Sequence, residues 1–280
     1  MNSSPLWINF DGSLLPSGTP FLSAGSRAFR YGDGLFETML VQNNRIRLWE
    51  YHFERLASGL GFLRFSTPPD FTRERLFSEI LELCTRNGHK KLSRVRLVVF
   101  RGDGAIYDAT PSALHYVIES WPLPEKDPEP DPRGLVIDVF PEGRKACDLL
   151  ANLKSNNYLL YVLAARHAVD HGLDDCLVLN SRETLADTTI ANLFYCLEGE
   201  WYTPPLSDGC VAGVMRRHLL ATMPAAGFPA TERTATIQDV LAAEEIFLTN
   251  AIRGIRWVAA FRDSRYSNSL TMALYQKLIT

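Results

Sequence analysis

The stretch Tyr31-Gly32-Asp33-Gly34-Leu35-Phe36-Glu37-Thr38 sets two glycines around an aspartate and runs straight into a β-type segment. Glycine in that position marks a place where another backbone comes close. A tight turn accounts for the glycines, but not for the aromatic and polar residues on both sides. Working outward, 35–42 and 45–48 read as strands joined at Asn43-Asn44, a pair suited to a hairpin turn. A further strand is expected at 6–10. Trp49, Phe53, Leu56 and Leu60 recur at helical spacing, and Gly59 and Gly61 mark that helix's end. A second helix is expected over 71–86, after Pro68-Pro69-Asp70. The run 92–100 is a strand that places Arg94, Arg96, Val98 and Phe100 on one face, and 115–120 is another.

The clearest seam is Trp121-Pro-Leu-Pro-Glu-Lys-Asp-Pro-Glu-Pro-Asp-Pro-Arg-Gly134, whose proline density favours an extended connector and excludes helix or central strand. It divides the chain into a smaller domain (1–120), a linker (121–134) and a larger domain (135–280). The second half continues with a strand at 135–140 and a helix over 157–171 carrying Leu160, Leu163, Ala164 and His167. Strands follow at 175–180 and 192–197, then a hairpin through Glu198-Gly199-Glu200, a helix from Val214 and a strand at 245–249. This imperfect alternation fits an α+β (mixed α/β) fold of two layers better than a regular parallel sheet.

With 29 basic against 32 acidic residues, a net charge of −3 excludes the basic footprint of a nucleic-acid binder. No apolar run approaches the roughly 20 residues of a membrane span, and no basic-then-apolar leader opens the chain. Five scattered cysteines without CxxC spacing read as buried thiols, with no disulfide frame and no metal site. A soluble cytoplasmic protein is expected.

Walker A, HExxH, GxSxG and GxGxxG patterns are absent. Gly209-Cys-Val-Ala-Gly213-Val-Met-Arg216 is a glycine-bearing turn into a helix, and helix N-terminal amides hold anions. Lys154 stands just before an apolar helix, where desolvation can turn a lysine amine into a nucleophile; alone, it reads as an exposed lysine. Arg94 and Arg96 share a face with core residues, a pattern served by buried carboxylates or by an anionic ligand. Arg55, alone, is a solvated charge, and Arg101-Gly-Asp103 a strand-ending turn.

Together these segments resemble the class IV, fold-type IV pyridoxal-phosphate enzymes: branched-chain aminotransferases, D-amino acid aminotransferases and 4-amino-4-deoxychorismate lyases. The matching motifs lie in family order: YGDGLFET at 31–38, HFERL at 52–56, RLVVFRGDG at 96–104, LKSNNYL at 153–159, DTTIANLF at 187–194, GVMR at 213–216 and FLTNAIRGI at 247–255. The resemblance implies a two-domain, D-amino acid aminotransferase-like fold. It also implies pyridoxal 5'-phosphate as cofactor and a homodimer acting on a small-molecule substrate. Lys154 matches the lysine that bonds the cofactor and later moves protons. Arg55 matches the phosphate-binding arginine, the amides of Val214 and Met215 complete the phosphate cup, and Asn250 and Ala251 form its other edge. Val211 matches the apolar residue packed on the pyridine ring, and Tyr158 a partner for its phenolic oxygen. Asp187 stands where the family usually has glutamate against the pyridine nitrogen. An aspartate keeps the ring cationic but is one methylene shorter, so ring or strand must shift or a water must bridge.

Three details point to the lyase: Asn157 three residues after Lys154, Gly-Val-Met-Arg where aminotransferases commonly have Gly-Ile-Thr-Arg, and Leu248-Thr-Asn-Ala-Ile-Arg-Gly254. The loop after Arg101 also lacks the Arg-x-His pair of D-amino acid enzymes, having Ile106 and Asp108 instead. On this reading pyruvate is eliminated to leave 4-aminobenzoate, a folate precursor. Thr38 then faces the substrate, and Tyr31, Arg96 and Arg253 are candidates for its carboxylates. An aminotransferase acting on branched-chain or D-amino acids is the alternative, and a non-catalytic cofactor-binding relative a third. Since Arg55 and Lys154 come from different halves, the site is expected between the domains.

Overall fold

The computed structural model of the chain describes residues 6–89, 91–108, 113–124 and 131–278. The described residues within Met1–Asp127 together with Lys154–Asn157 form one compact unit, and those within Pro128–Leu153 and Tyr158–Thr280 a second. Both mix helix and strand, the α+β class that the patterning implies. We keep 121–134 as the proposed domain boundary; its residues 125–130 lie outside those described. Among the described residues no helix is long and apolar enough to cross a membrane.

The first unit contains β1 (Trp7–Phe10), β2 (Ser13–Pro16), α1 (Arg27–Tyr31), β3 (Gly34–Gln42), β4 (Arg45–Ile46), α2 (Trp49–Phe62), α3 (Arg73–Arg86), β5 (Leu92–Arg101) and β6 (Leu114–Pro122). The strands make one antiparallel sheet in the order β2-β1-β6-β5-β3-β4. Asn43 and Asn44, both at positive φ, close the β3–β4 hairpin, as their residue types foretell. Alternation along β3 and β5 gives two unlike faces. Leu35, Met39, Val95, Leu97 and Val99 are buried on one, each such side chain contributing about 1.5–3 kcal/mol. Helix α2 sets His52 and Arg55 against Glu37 on this face, and α3 sets Glu79 against Tyr116. The other face carries Phe36, Thr38, Arg94, Arg96 and Val98, with Arg94, Arg96, Val98 and Thr38 only half-buried. Helix α2 runs through Gly59 and Gly61 to Phe62. Trp121 and Pro122, expected in an extended connector outside helix or central strand, instead end β6, with Pro122 opposite Ser93; a strand end tolerates the missing N–H.

The second unit contains β7 (Leu135–Val139), α4 (Leu159–Asp170), β8 (Asp175–Leu179), β9 (Leu185–Thr188), β10 (Asn192–Leu197), β11 (Glu200–Thr203), α5 (Val214–Thr222), β12 (Ala230–Glu232), α6 (Ile237–Ala242), β13 (Glu245–Asn250), β14 (Gly254–Phe261), β15 (Ser264–Arg265) and α7 (Ser269–Leu278). Its sheet runs β12-β11-β10-β13-β14-β7-β8-β9, with β15 beside β14. Leu135, Ile137, Leu177, Leu193, Ile246 and Val258 pack with Val240 of α6. Phe140, Cys176 and Val178 pack with Tyr161, Ala164 and Ala168 of α4. Of the residues the sequence singles out on this helix, Ala164 is buried but Leu163 is exposed, as are Leu159, Val162 and Val169. A helix apolar nearly all round gives periodicity no means of choosing its buried face. Burial instead follows small residues that let the helix approach and a tyrosine with a polar partner below.

Candidate active site

Lys154 is placed by main chain. The Phe36 N–H donates to the Lys154 carbonyl at 2.9 Å, and the Asn156 N–H to the Gly34 carbonyl at 3.0 Å. Residues 154–156 thus border β3 where it begins. This accounts for both glycines of the opening motif. Gly32 adopts φ +65°, and a Cβ on Gly34 would stand 2.5 Å from Asn156 Nδ2 and from the Val99 carbonyl. Asp33 between them accepts from Arg27 Nε at 2.8 Å and Arg101 Nη1 at 2.7 Å, anchoring the turn. The Lys154 ammonium lies 4.4 Å from the centre of the Phe36 ring, and the Arg96 guanidinium 4.0 Å from the same ring. Thr38 is the direct cross-strand partner of Arg96. Lys154, Thr38 and Arg96 therefore gather around one aromatic ring. Arg96 also faces Glu119 of β6, whose carboxyl burial pushes up while Arg96 and Arg94 pull it down. Tyr31, at the end of α1, is partly exposed beneath the Arg27 guanidinium.

Arg55 lies on the helix-covered side of that sheet. Its Nε donates to Glu37 Oε1 at 2.7 Å and its Nη2 to Glu37 Oε2 at 2.5 Å, a two-pronged pair that fixes the guanidinium plane. His52 Nδ1 meets Glu37 Oε2 at 2.6 Å. Burial lowers the His52 pKa more than Glu37 raises it, so the ring is neutral and Nδ1–H donates. Burial would raise the Glu37 carboxyl, but Arg55 and then His52 outweigh it and hold the group at about 2, against an ordinary 4.5. A depressed carboxylate stabilises the fold fully above its unfolded pKa, and that stability is lost as pH falls through the folded pKa. We therefore expect acid sensitivity between pH about 4.5 and about 2, with Glu37 worth of the order of 3 kcal/mol. Urea unfolding across that window, wild type against Glu37→Gln, checks this. Parallel curves would remove Glu37 from the account.

Asp187, on β9, is buried. The β8–β9 pairing slips between Asp187, opposite Val178, and Leu185, opposite Leu179, leaving Ala186 as a bulge. Three donors reach Asp187 Oδ2: the Val211 N–H at 2.8 Å, the Tyr161 hydroxyl at 2.9 Å and Lys145 Nζ at 3.3 Å. Among the described residues Oδ1 shares only the Tyr161 hydroxyl, at 3.0 Å. Burial first, then the Asp187 carboxylate, push the Tyr161 phenol well up, so it stays a neutral donor. Tyr158 donates its hydroxyl to the Thr189 carbonyl at 3.0 Å, with its ring 4.5 Å from that of Tyr161. Val211 is held at both ends, its carbonyl accepting from Asn192 Nδ2 at 2.9 Å.

Helix α5 starts at Val214 behind Gly213, which offers no side-chain cap. A Cβ on Gly213 would stand 1.9 Å from Asn192 Oδ1. Val214 and Met215 are buried in its first turn. Asn192 opposes Thr249, and the next residue, Asn250, turns the chain by accepting from the N–H groups of Ile252 at 3.0 Å and Arg253 at 2.8 Å. Both edges of the expected phosphate cup thus meet at one asparagine. Ala251 is buried and Arg253 exposed. These residues fit a phosphorylated pyridine: a helix N-terminus approached through glycine suits the phosphate, and a buried carboxylate oxygen with acceptor capacity to spare suits the ring nitrogen.

Sequence reading passed over Glu37, His52, Lys145 and Tyr161. The first two had a signal, because Glu37 falls at an inward position of β3 and a charge there needs a partner. Lys145 and Tyr161 had none, since a loop and a largely apolar helix set them beside Asp187.

The model of the amino-transferase class IV family matches residues 34–261. The aminodeoxychorismate lyase of Vibrio harveyi is 28% identical over 235 residues, covering 82% of this chain and 84% of its own. The crystal structure of 4-amino-4-deoxychorismate lyase from Pseudomonas aeruginosa superimposes with a TM-score of 0.83 at 30% identity, covering 97% of both chains. The branched-chain aminotransferase of Thermoproteus uzoniensis, crystallised with norvaline, shares the fold with a TM-score of 0.88 at 22% identity, covering 98% and 94%.

Proposed function

Because the chain belongs to the class IV aminotransferase family, enzymes that work with pyridoxal 5'-phosphate, we propose that it is a 4-amino-4-deoxychorismate lyase releasing pyruvate and 4-aminobenzoate for folate synthesis. The observation that carries this reading is the likeness, end to end and at 30% identity, to the Pseudomonas aeruginosa lyase. The grouping of Lys154, Thr38 and Arg96 around Phe36 supports it. We read Arg55, the first-turn amides of Val214 and Met215, Asn250 and Ala251 as the phosphate site. Asp187 then faces the ring nitrogen, Val211 the ring and Tyr158 its phenolic oxygen. The bound cofactor supplies a cationic ring that spreads the electron pair left when the C–H bond at the amine-bearing carbon breaks. The Lys154 amine takes that proton and returns one to the departing enolpyruvyl group. Thr38 orients the leaving group, and Arg96, Arg253 and Tyr31 meet the substrate carboxylates.

The exposed Leu159, Val162, Leu163 and Val169 of α4 support a homodimer, since an apolar stripe of this kind calls for cover. We place the protein in the cytoplasm with a small-molecule substrate and neither nucleic acid nor membrane as partner.

Two assays test the reading together. With aminodeoxychorismate we expect 4-aminobenzoate and pyruvate in equal amounts. With amino donors alone we expect little conversion of the cofactor to its pyridoxamine form. Full conversion with D- or branched-chain amino acids and no 4-aminobenzoate would establish the aminotransferase instead.

A further inference from the structure

The contact between Lys145 and Asp187 lies outside the roles assigned so far. Lys145 is only 9% exposed and stands in the loop after β7. Its ammonium donates to Asp187 Oδ2 at 3.3 Å and to the Tyr161 hydroxyl, which in turn donates to Asp187. Cys210, nearby, is neutral because burial pushes its thiol up to about 12. Taking an ammonium and a carboxylate out of water is costly, and the pair holds only with good geometry and further hydrogen bonds. Here Tyr161 and the Val211 N–H supply those bonds.

We propose that Lys145 is a positioning residue for the cofactor ring contact: with Tyr161 and the Val211 amide it locks Asp187 by Oδ2, so that Oδ1 is the oxygen offered to the ring nitrogen. The inference rests on Asp187 being the ring partner. A carboxylate one methylene shorter than the family's glutamate has less freedom to find the ring, and so depends more on being held. Three donors on one oxygen fix its rotation. The single hydroxyl shared with Oδ1 leaves that oxygen most of its acceptor capacity. The bulge at Ala186 further sets where the side chain leaves the strand. Lys145 has a second consequence: as a cation beside Asp187, it balances the carboxylate charge that the ring nitrogen meets.

The test titrates apoprotein with pyridoxal phosphate, following the absorbance spectrum and Kd, with melting of the apoprotein measured in parallel. For Lys145→Met we expect a lower apo melting temperature, an altered spectrum and a Kd weakened about tenfold or more, since a buried carboxylate has lost its counter-charge. Lys145→Arg should restore all three. The double variant Lys145→Met/Asp187→Asn should recover apo stability but neither spectrum nor affinity, an outcome a merely structural pair would not give. Should Lys145→Met not fold, Lys145→Gln removes the charge while keeping a donor and is read in the same way. A wild-type spectrum and Kd in a folded charge-removed variant overturns the proposal. Asp187→Asn separates the two readings. If it alone leaves spectrum and Kd unchanged, Asp187 is not the ring partner; if it changes them while removal of the Lys145 charge does not, only the Lys145 role is lost.

Discussion

Replacing Lys154 by alanine is expected to remove the visible absorbance of the cofactor-bound protein and to lower turnover by about a thousandfold or more, the scale set by losing a positioned proton-transfer group. The fold should survive. The two hydrogen bonds that seat the segment, Phe36 N–H to the Lys154 carbonyl and Asn156 N–H to the Gly34 carbonyl, are both main-chain. The side chain adds a contact with the Phe36 ring. Far-ultraviolet circular dichroism and the melting temperature should therefore stay near wild type while the absorbance band disappears. A variant that keeps both the band and turnover would show that another amine holds the cofactor, and the chemical reading would have to be rebuilt around it.

The second large effect is expected at Arg55, through stability and affinity at once. Removing its guanidinium leaves Glu37 buried beside a neutral His52. An uncompensated buried charge costs about 3–5 kcal/mol, which urea unfolding at pH 7 can read. The loss should shrink at lower pH, because protonating Glu37 relieves it. Arg55→Ala should also weaken pyridoxal phosphate binding by about thirtyfold or more, the range for losing one partner of a desolvated charged contact. Glu37→Gln/Arg55→Ala should regain most of the stability and little of the affinity. If affinity returns with stability, Arg55 supports the fold and does not hold the phosphate. Arg55→Lys should fall between, since an ammonium cannot reproduce the two-pronged contact.

Local signals made much of the first unit legible. Asn43-Asn44 specifies a hairpin because both residues tolerate positive φ, and period-two alternation along 92–100 puts Arg94 and Arg96 on one face with Val98 and Phe100. The glycines at 32 and 34 announced a close approach, which Asn157 makes at Gly32 and Asn156 with the Val99 carbonyl at Gly34. Motif order also marked Lys154, Arg55 and Asp187 as residues to watch. Other features were hidden for definite reasons. The face of α4 could not be chosen from a helix apolar nearly all round. β9 escaped notice because a four-residue strand broken by a bulge has no readable period.

By itself the sequence determined many of the element types and the close approach at Gly32 and Gly34, because these depend on backbone sterics and on chemistry carried within a few residues. Only the tertiary structure decided the partners: Glu37 with Arg55, Lys145 and Tyr161 with Asp187, and Phe36 beneath Lys154 and Arg96. Such pairings join residues far apart in the chain. They are set by which faces of strand and helix are pressed together, and by the requirement that every charge taken out of water find its counterpart there.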